Sequence, residues 1–327
     1  MKKMPISLII DDPAPRVFVY YEHASSRILP DGRPLVNEVP NSFLLDFCDV
    51  IETHGVKGKF SVVPMPGGRG DIVNGIPGFP QSEIEEWLEI TRTRVTKLFS
   101  ICPEILTHAA AVDLETGKLL EVNEKIWAQS QNEQTLTPYL AKALSLHQAA
   151  QLPVTGFTSP WDFGVTVETD YIAAIAKAFD QVLGKKDSWY FLHCLAGKEN
   201  IRPWVALNDG ERRVVSIPAT TGDHFWQTMN TTDTSPEYIA RIADELLTAD
   251  GKTGEIIDTM NRGCWPILIT HWQSLFSNGL GTGLKVLNEV AQRINAHLAD
   301  RVEWMSFEEM MNWILQNPDA YPKPEWK

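Results

Sequence analysis

The sequence has few cysteines, an excess of negative charge and no long apolar run. Its four cysteines, Cys48, Cys102, Cys194 and Cys264, are far apart and form no CxxC pair. Neither a zinc ribbon nor a redox-active dithiol is therefore indicated, and we expect buried free thiols. Lysine and arginine number 29 against 42 acidic residues, which gives a formal net charge of −13. No basic stripe offsets this charge, so binding to a nucleic-acid backbone is not expected.

No stretch approaches the roughly 20 apolar residues that a transmembrane helix needs, so we expect no membrane partner. Lys2 and Lys3 precede an apolar segment, but this segment ends at Asp11 and is too short for the core of a signal peptide. We therefore expect a cytoplasmic protein. The hydrophobic content of 43%, with 11 Trp, predicts a folded chain with a sizeable core.

Short apolar runs alternate with helical patterns along the whole chain. The first run leads into Asp11 and Asp12, and Pro13 then prevents a helix from continuing. A helical pattern and a second apolar run, Gly58–Pro64, follow and complete a βαβ unit. This alternation repeats seven or eight times without an internal linker. We expect an α/β protein with a single domain over residues 1–327, a distorted TIM-like (β/α) barrel with seven or eight parallel strands.

Local signals give the expected boundaries in the first half of the chain. Ser82 and Glu85 have the spacing of a capping box, which predicts a helix through roughly Phe99. A third strand is expected over residues 103–108, and the turn residues at 115–118 suggest a short hairpin.

Acidic, histidine and tryptophan residues recur at the expected strand exits. In (β/α) barrels the site lies at the carboxyl ends of the strands, so these side chains should converge. A single histidine at a strand end is more often structural than a ligand, and we expect that of His193. The set as a whole predicts a site, and its members are Asp11, Asp12, His108, Trp161, Asp162, Asp223, His224 and His271.

These strand exits resemble the motifs of the polysaccharide deacetylase superfamily. The two aspartates that end the first strand match its first motif, and His108 stands where its second motif places a histidine. Residues 157–164 keep the outline of the third motif. The last motif is an apolar strand that ends in Leu-x-His, and residues 268–271 match it with a shift of one residue. The resemblance covers nearly the whole chain. It implies a distorted (β/α) barrel that hydrolyses an amide bond with a divalent metal.

The sequence departs from the family pattern at two positions. The family usually holds its metal with one aspartate and two histidines spaced His-x-x-x-His, but here Val112 occupies the second position and Asp113 follows it. The arginine that braces the catalytic aspartate in the family is replaced by Thr158 or Ser159. Either the site uses Asp113 instead, or metal binding has been lost.

The resemblance also implies a role for each site residue. Asp12, His108 and Asp113 would hold a divalent metal, with zinc as the expected ion, and leave a position open for water. Asp11 would accept the proton of that water, and His271 would protonate the leaving amine. The substrate would be an oligosaccharide or a small amide. The expected substrate contacts, in which the indoles suit sugar rings, are Trp161, Asp162, Asp223, His224, Trp226 and Trp272.

Two other functions remain open from the sequence. In a metal-free glycoside hydrolase, Asp11 or Asp12 would pair with Asp162 or Asp223, at carboxyl separations of about 5–5.5 Å or 6.5–9.5 Å. In a non-catalytic barrel, the incomplete metal motif would mark a domain that only binds a carbohydrate or a partner. The missing second histidine favours these alternatives, whereas the paired aspartates and His271 favour the hydrolase.

Overall fold

A parallel sheet centred on the first strand organises the computed structural model, which describes residues 3–19 and 27–325. In chain order the strands are β1 (Met4–Asp11), β2 (Gly58–Val62), β3 (Phe99–Pro103), β4 (Ala110–Val112), β5 (Leu119–Asn123), β6 (Gly156–Thr158), β7 (Asp187–Phe191), β8 (Trp204–Asn208), β9 (Arg213–Ser216), β10 (Ile267–His271) and β11 (Val302–Trp304). The helices are α1 (Asn41–His54), α2 (Gln81–Thr93), α3 (Glu124–Ala128), α4 (Glu133–Ala149), α5 (Glu168–Leu183), α6 (Pro236–Leu246), α7 (Glu255–Asn261), α8 (Trp272–Phe276), α9 (Thr282–His297) and α10 (Phe307–Leu315).

The first sheet has the order β10-β1-β2-β3, with β11 beside the start of β1, and all of its pairs are parallel. From Pro5 onwards every residue of β1 is buried, as expected for a parallel strand covered on both faces. In the register of β1 and β10, Asp11 lies opposite His271. Two residues at opposite ends of the chain are thus fixed at the same level of the sheet.

A second sheet has the order β6-β7-β9-β8, in which only β8 runs antiparallel to its neighbour. Single bridges, Ile101–Val154 and Glu104–Thr158, connect its β6 edge to the β3 edge of the first sheet. On the other side, Thr220 donates its N–H to the carbonyl of Ile267 at 3.0 Å. Over the described ranges these bonds do not form one continuous closed ladder. The structure therefore confirms the expected α/β fold with parallel strand pairing. The hydrogen bonds among the described residues do not confirm a closed barrel of seven or eight strands.

Some expected boundaries shift in the structure. Helix α2 begins directly after Pro80 without a side-chain cap, so the expected capping box is wrong, and Phe99 already belongs to β3. Because β3 ends at Pro103, His108 lies in the loop beyond the strand and not at its last residue. The hairpin expected around residues 115–118 is confirmed as β4 and β5.

The cysteine expectation is met by three residues of the four. Cys48, Cys102 and Cys264 are buried free thiols, whereas Cys194 is exposed. Within residues 3–19 and 27–325, no helix has the length and apolar character needed to cross a membrane.

Candidate functional site

The two aspartates at the end of β1 have different partners. Asp11 is the last strand residue, and its Oδ1 accepts hydrogen bonds from Lys59 Nζ and from Ser61 Oγ, the latter at 3.0 Å. Asp12 has a positive φ of 71°, which turns the chain out of the strand direction. Its Oδ2 accepts a 2.6 Å hydrogen bond from Gln273, and its Oδ1 lies 3.0 Å from His108 Nε2. Adjacent carboxylates therefore enter separate environments.

Lys59 supplies a fully buried positive charge beside Asp11. Besides that carboxylate, its Nζ donates to Ser61 Oγ at 2.5 Å and to Thr158 Oγ1 at 2.6 Å, and it lies 4.6 Å from the centre of the Phe191 ring. A buried ammonium group needs such a complete set of partners. The cation comes from β2, whereas the resemblance placed an arginine near Thr158 in the loop after β6.

Asp12, Glu104 and His108 form a buried group whose potential ligand atoms all lie within 4.8 Å of one another. Glu104 Oε2 accepts the N–H of Asp12 at 2.7 Å, and its Oε1 lies 3.5 Å from His108 Nε2. Ligands at 2.0–2.1 Å from a tetrahedral ion are about 3.3 Å apart, and the observed 3.0 and 3.5 Å separations bracket that value. Within residues 3–19 and 27–325, no donor reaches Asp12 Oδ1 with suitable hydrogen-bond geometry. The donor set fits a divalent cation.

Asp113 is not part of this group, which corrects the ligand set expected from the sequence. It is partly exposed in the turn between β4 and β5, where its Oδ1 accepts the N–H groups of Glu115 and Thr116, each at 2.9 Å. These hydrogen bonds, led by that from Thr116, lower the pKa of its carboxyl. A side chain that is hydrogen-bonded to its own turn is not available to Asp12 and His108, and Glu104 is the third residue of the group that could hold a metal.

The charges of the group depend on one another. Burial, together with the charges of Asp11 and Asp12, raises the pKa of Glu104 to about 8. Burial disfavours the charged form of His108, but the neighbouring Asp12 outweighs it and raises the pKa of the imidazole to about 9. Burial would also raise the pKa of Asp12, yet the charge of His108 holds it well below its usual range. Protons therefore occupy the group at neutral pH, and a divalent cation would displace them.

His271 faces the same region from β10. Its Nδ1 is hydrogen-bonded to Asp223 Oδ2 at 2.7 Å, and the ring of Trp226 lies edge-on at 4.9 Å between centroids. Burial disfavours the imidazolium, but the bond to Asp223 and the charge of Asp12 raise the pKa of His271 to about 10. An imidazole fixed through Nδ1 keeps Nε2 for proton exchange with a bound molecule.

Asp11, Asp12, Glu104, His108 and His271 line one cavity of about 260 Å³. Trp161 and Trp226 are each 39% exposed, and the Trp161 ring lies edge-on to His108 at 4.3 Å between centroids. Asp162 is also in the lining, with its Oδ2 3.3 Å from Lys125 Nζ. The predicted site residues that the structure brings together in this lining are Asp11, Asp12, His108, Trp161, Asp162, Trp226 and His271.

Three of the expected substrate contacts lie outside this lining, which corrects the sequence expectation for them. Trp272 is fully buried, with its ring 5.4 Å from Phe47 and 5.5 Å from Phe60, because it begins α8 on the core side of β10. The Oδ2 atom of Asp223 is hydrogen-bonded to His271 Nδ1. His224 is held by two carboxylates on its other side.

The ring of His224 lies between Glu255, 2.6 Å from its Nε2, and Glu245, 2.7 Å from its Nδ1. These hydrogen bonds, led by that to Glu255, raise the pKa of His224. The imidazole therefore connects its loop to α6 and α7.

His193, expected to be structural, is hydrogen-bonded through Nε2 to Glu168 Oε1 at 2.7 Å and lies outside the cavity lining. Three other site residues were missed by sequence reasoning. Lys59 could have been found, since it is a charged residue within a short run of strand residues that is otherwise uncharged. Glu104 is four residues before His108, but that interval was assigned to a strand. Glu124 could not have been found, because residues 109–134 show no clear helix or strand periodicity.

Glu124 is fully buried behind the loop of His108. Its carboxylate accepts the N–H groups of Thr107 and His108 at 2.9 and 2.8 Å and the hydroxyl of Tyr139 at 2.7 Å. Burial raises its pKa to about 7.

Neither a family model nor a curated protein matches the sequence. Among solved structures, the chain matches a mutant of a CE4 family pseudoenzyme with 11% identity and a TM-score of 0.39, over 95% of this chain and 68% of that one. A mutant of the pseudoenzyme with restored enzymatic activity matches with 12% identity and a TM-score of 0.40, over the same shares. The 4-alpha-glucanotransferase of Thermococcus litoralis matches with 13% identity and a TM-score of 0.44, over 95% of this chain and 40% of that one.

Proposed function

We propose that this protein is a metal-dependent hydrolase of a C–N amide bond, of the deacetylase type, built as a single distorted (β/α) barrel domain. The observation that carries the proposal is the convergence of Asp12, Glu104 and His108 beside Asp11 and His271 in one cavity. This combination supplies a cation site, a carboxylate and a protonated imidazole within one pocket, which is what amide hydrolysis requires.

Asp12, Glu104 and His108 would hold the metal, with the cavity leaving room for water and substrate. When bound, a divalent ion in such a site supplies Lewis-acid polarisation of the amide carbonyl and activation of a water molecule. Three protein ligands with an open position are typical of catalytic zinc sites. Gln273 and the backbone N–H of Asp12 orient two of the ligands by hydrogen bonds to Asp12 and Glu104.

Asp11 is the proposed general base. Its Oδ1 accepts the hydrogen bonds from Lys59 and Ser61, so the carboxylate is held in place while Oδ2 is left for a water proton.

His271 is the proposed general acid. Its hydrogen bond to Asp223 and its pKa of about 10 keep it protonated at neutral pH. A departing amine must gain a proton, and His271 lies in register with Asp11 across β1 and β10, on the wall of the same cavity. This division places base and acid on neighbouring strands.

The substrate is proposed to be a carbohydrate or a small amide. Trp161 and Trp226 present partly exposed indoles in the same lining as the carboxylates and histidines, an arrangement suited to the apolar face of a sugar ring. Asp162, beside Trp161, offers a carboxylate to sugar hydroxyls.

Metal binding tests the proposal most directly. The purified full chain should bind about one Zn²⁺ or Co²⁺ in calorimetric titration. Loss of an outer hydrogen-bond partner lowers metal affinity by about 10–100-fold, and Glu104→Gln, which removes a proposed ligand, should lower it by more than that. Asp113→Asn is the matched control and should bind like the wild type. Amide hydrolysis is then measured on an N-acetylated amino-sugar oligomer and a small anilide. A wild-type chain that takes up no metal would exclude the proposed reaction and favour a binding domain.

A further inference from the structure

The loop that carries His108 is anchored from behind by a single carboxylate. Glu124 Oε1 accepts the N–H of Thr107 at 2.9 Å, and its Oε2 accepts the N–H of His108 at 2.8 Å. The hydroxyl of Tyr139 donates to Oε1 at 2.7 Å. Glu124, Thr107 and His108 are all buried. Both oxygens of one buried side chain are therefore used to fix two consecutive peptide groups.

The backbone at His108 explains why such an anchor is needed. Its φ is 51°, in the left-handed region that non-glycine residues rarely adopt, and such conformations persist only where the surroundings hold them. Successive N–H groups that point to the same side create an anion-binding concavity, which a carboxylate fills well. In this conformation the His108 ring lies 3.0 Å from Asp12 Oδ1 and 3.5 Å from Glu104 Oε1.

We infer that Glu124 is a positioning residue of the metal site, which holds His108 in the backbone conformation that turns its imidazole towards Asp12 and Glu104. The inference rests on the proposed metal-binding function. Glu124 does not line the cavity and is not itself a ligand. It acts on the metal only through the peptide group of His108.

The Glu124 position requires a carboxylate because of the number of hydrogen-bond acceptors, and not because of the size of the side chain. Three donors converge on Glu124, and two carboxylate oxygens accept them all. A glutamine of the same shape has one acceptor oxygen and would direct its own N–H₂ at a backbone N–H group. The loop would then lose one anchor while the fold kept its packing.

The experiment compares Glu124→Gln with Tyr139→Phe in the full chain. Tyr139→Phe removes one hydrogen bond to the same carboxylate and the one that the hydroxyl accepts from the Val112 N–H at 3.2 Å. It leaves both backbone N–H contacts of Glu124 in place, so it controls for general loss of stability. Affinity for Co²⁺ and Zn²⁺ is measured by calorimetry, and the Co²⁺ absorption spectrum reports the ligand geometry. Circular dichroism defines a temperature at which all three proteins are fully folded.

We expect Glu124→Gln to lose about 10–100-fold in metal affinity with an altered Co²⁺ spectrum, and Tyr139→Phe to stay close to the wild type. Equal affinity in Glu124→Gln and the wild type would overturn the inference and leave the metal site intact. Equal losses in the two variants would also overturn it, because the effect would then follow stability. A wild type without metal would overturn both the inference and the proposed function.

If Glu124→Gln does not fold, Glu124→Asp tests the same point. The shorter side chain keeps the negative charge but cannot reach both N–H groups at once. Reduced metal affinity in this variant supports the positioning role, and unchanged affinity contradicts it.

Discussion

Lys59 and Asp11 form an ion pair between neighbouring strands in which the ammonium group is fully buried and the aspartate is only 4% exposed. The pair separates the electrostatic roles of two adjacent carboxylates, since Asp12 is balanced by His108 and not by Lys59. From the sequence alone, the two adjacent carboxylates of Asp11 and Asp12 would be expected to have the same electrostatic environment. The side chains that reach them from β2 and from the loop after β3 make them different.

Removing one member of this pair should be costly. Lys59→Met should lower the free energy of unfolding by about 3–5 kcal/mol, because it leaves the Asp11 charge buried without its partner. The double variant Lys59→Met with Asp11→Asn should recover most of that loss, since no unpaired charge then remains. Urea denaturation of the single and double variants at neutral pH measures the coupling, and simple additivity of the two losses would contradict the pairing.

The role of His271 can be separated from metal binding. His271→Ala should leave the affinity for Zn²⁺ nearly unchanged, because His271 is bonded to Asp223 and lies outside the group of potential ligands. Turnover of a hydrolysed amide should fall by about 10²–10⁴-fold, the usual contribution of a positioned acid. His193→Gln provides the control, since His193 is bonded to Glu168 outside the cavity lining. Loss of metal from His271→Ala would instead make this histidine a ligand.

The tryptophans expected to contact substrate should separate into two kinds. Trp272→Ala should destabilise the fold by about 3–5 kcal/mol, as for a large aromatic in a packed core. Trp226→Ala should cost clearly less stability than Trp272→Ala, because its side chain is 39% exposed, yet weaken binding of an N-acetylated amino-sugar oligomer. Thermal denaturation and calorimetry distinguish the two effects. Weaker oligomer binding in a folded Trp272→Phe than in Trp226→Ala would reverse the assignment.

The sequence was most informative where local pattern and topology agree. The apolar run into Asp11 and Asp12 predicted both the central strand and a site at its end, and the last motif placed His271 on a strand at the same edge. The parallel arrangement then brings Asp11 and His271 to the same level. These residues could be found because a parallel sheet gathers the ends of its strands.

Sequence reasoning missed Glu104 as a candidate metal ligand because it predicts the third strand too far along the chain. Expecting strand residues up to 108 put Glu104 inside the sheet and His108 at its end, whereas β3 stops at Pro103. A left-handed turn at His108 then brings its ring back to Glu104. Asp113 was chosen because it follows the family position by one residue, but side-chain hydrogen bonds to its own turn hold it elsewhere. Neither the left-handed turn at His108 nor the path of the loop produces a periodic pattern in the sequence that could have predicted it.

Acid stability should depend on His147, a histidine of α4 that lies outside the candidate site. It is fully buried, and its Nδ1 is hydrogen-bonded to the carbonyl of Ala143 at 3.1 Å. Burial lowers its pKa from the usual 6.5 to about 4. The unfolded chain therefore binds a proton at this residue between about pH 6.5 and 4, whereas the folded chain does not. Stability from this group is present above pH 6.5 and is lost as the pH falls towards 4, by about 3 kcal/mol in total.

His147→Leu should remove this dependence. The difference in unfolding free energy between wild type and variant should change by about 3 kcal/mol between pH 7 and pH 4, in the direction that makes the variant relatively more stable in acid. Taking the difference removes the contribution of buried carboxylates such as Glu104 and Glu124, which titrate in both proteins. His297→Gln, an exposed position on α9, is the control and should follow the wild-type curve. Parallel pH profiles for wild type and His147→Leu would show that His147 titrates alike in the folded and unfolded chains, contrary to its burial.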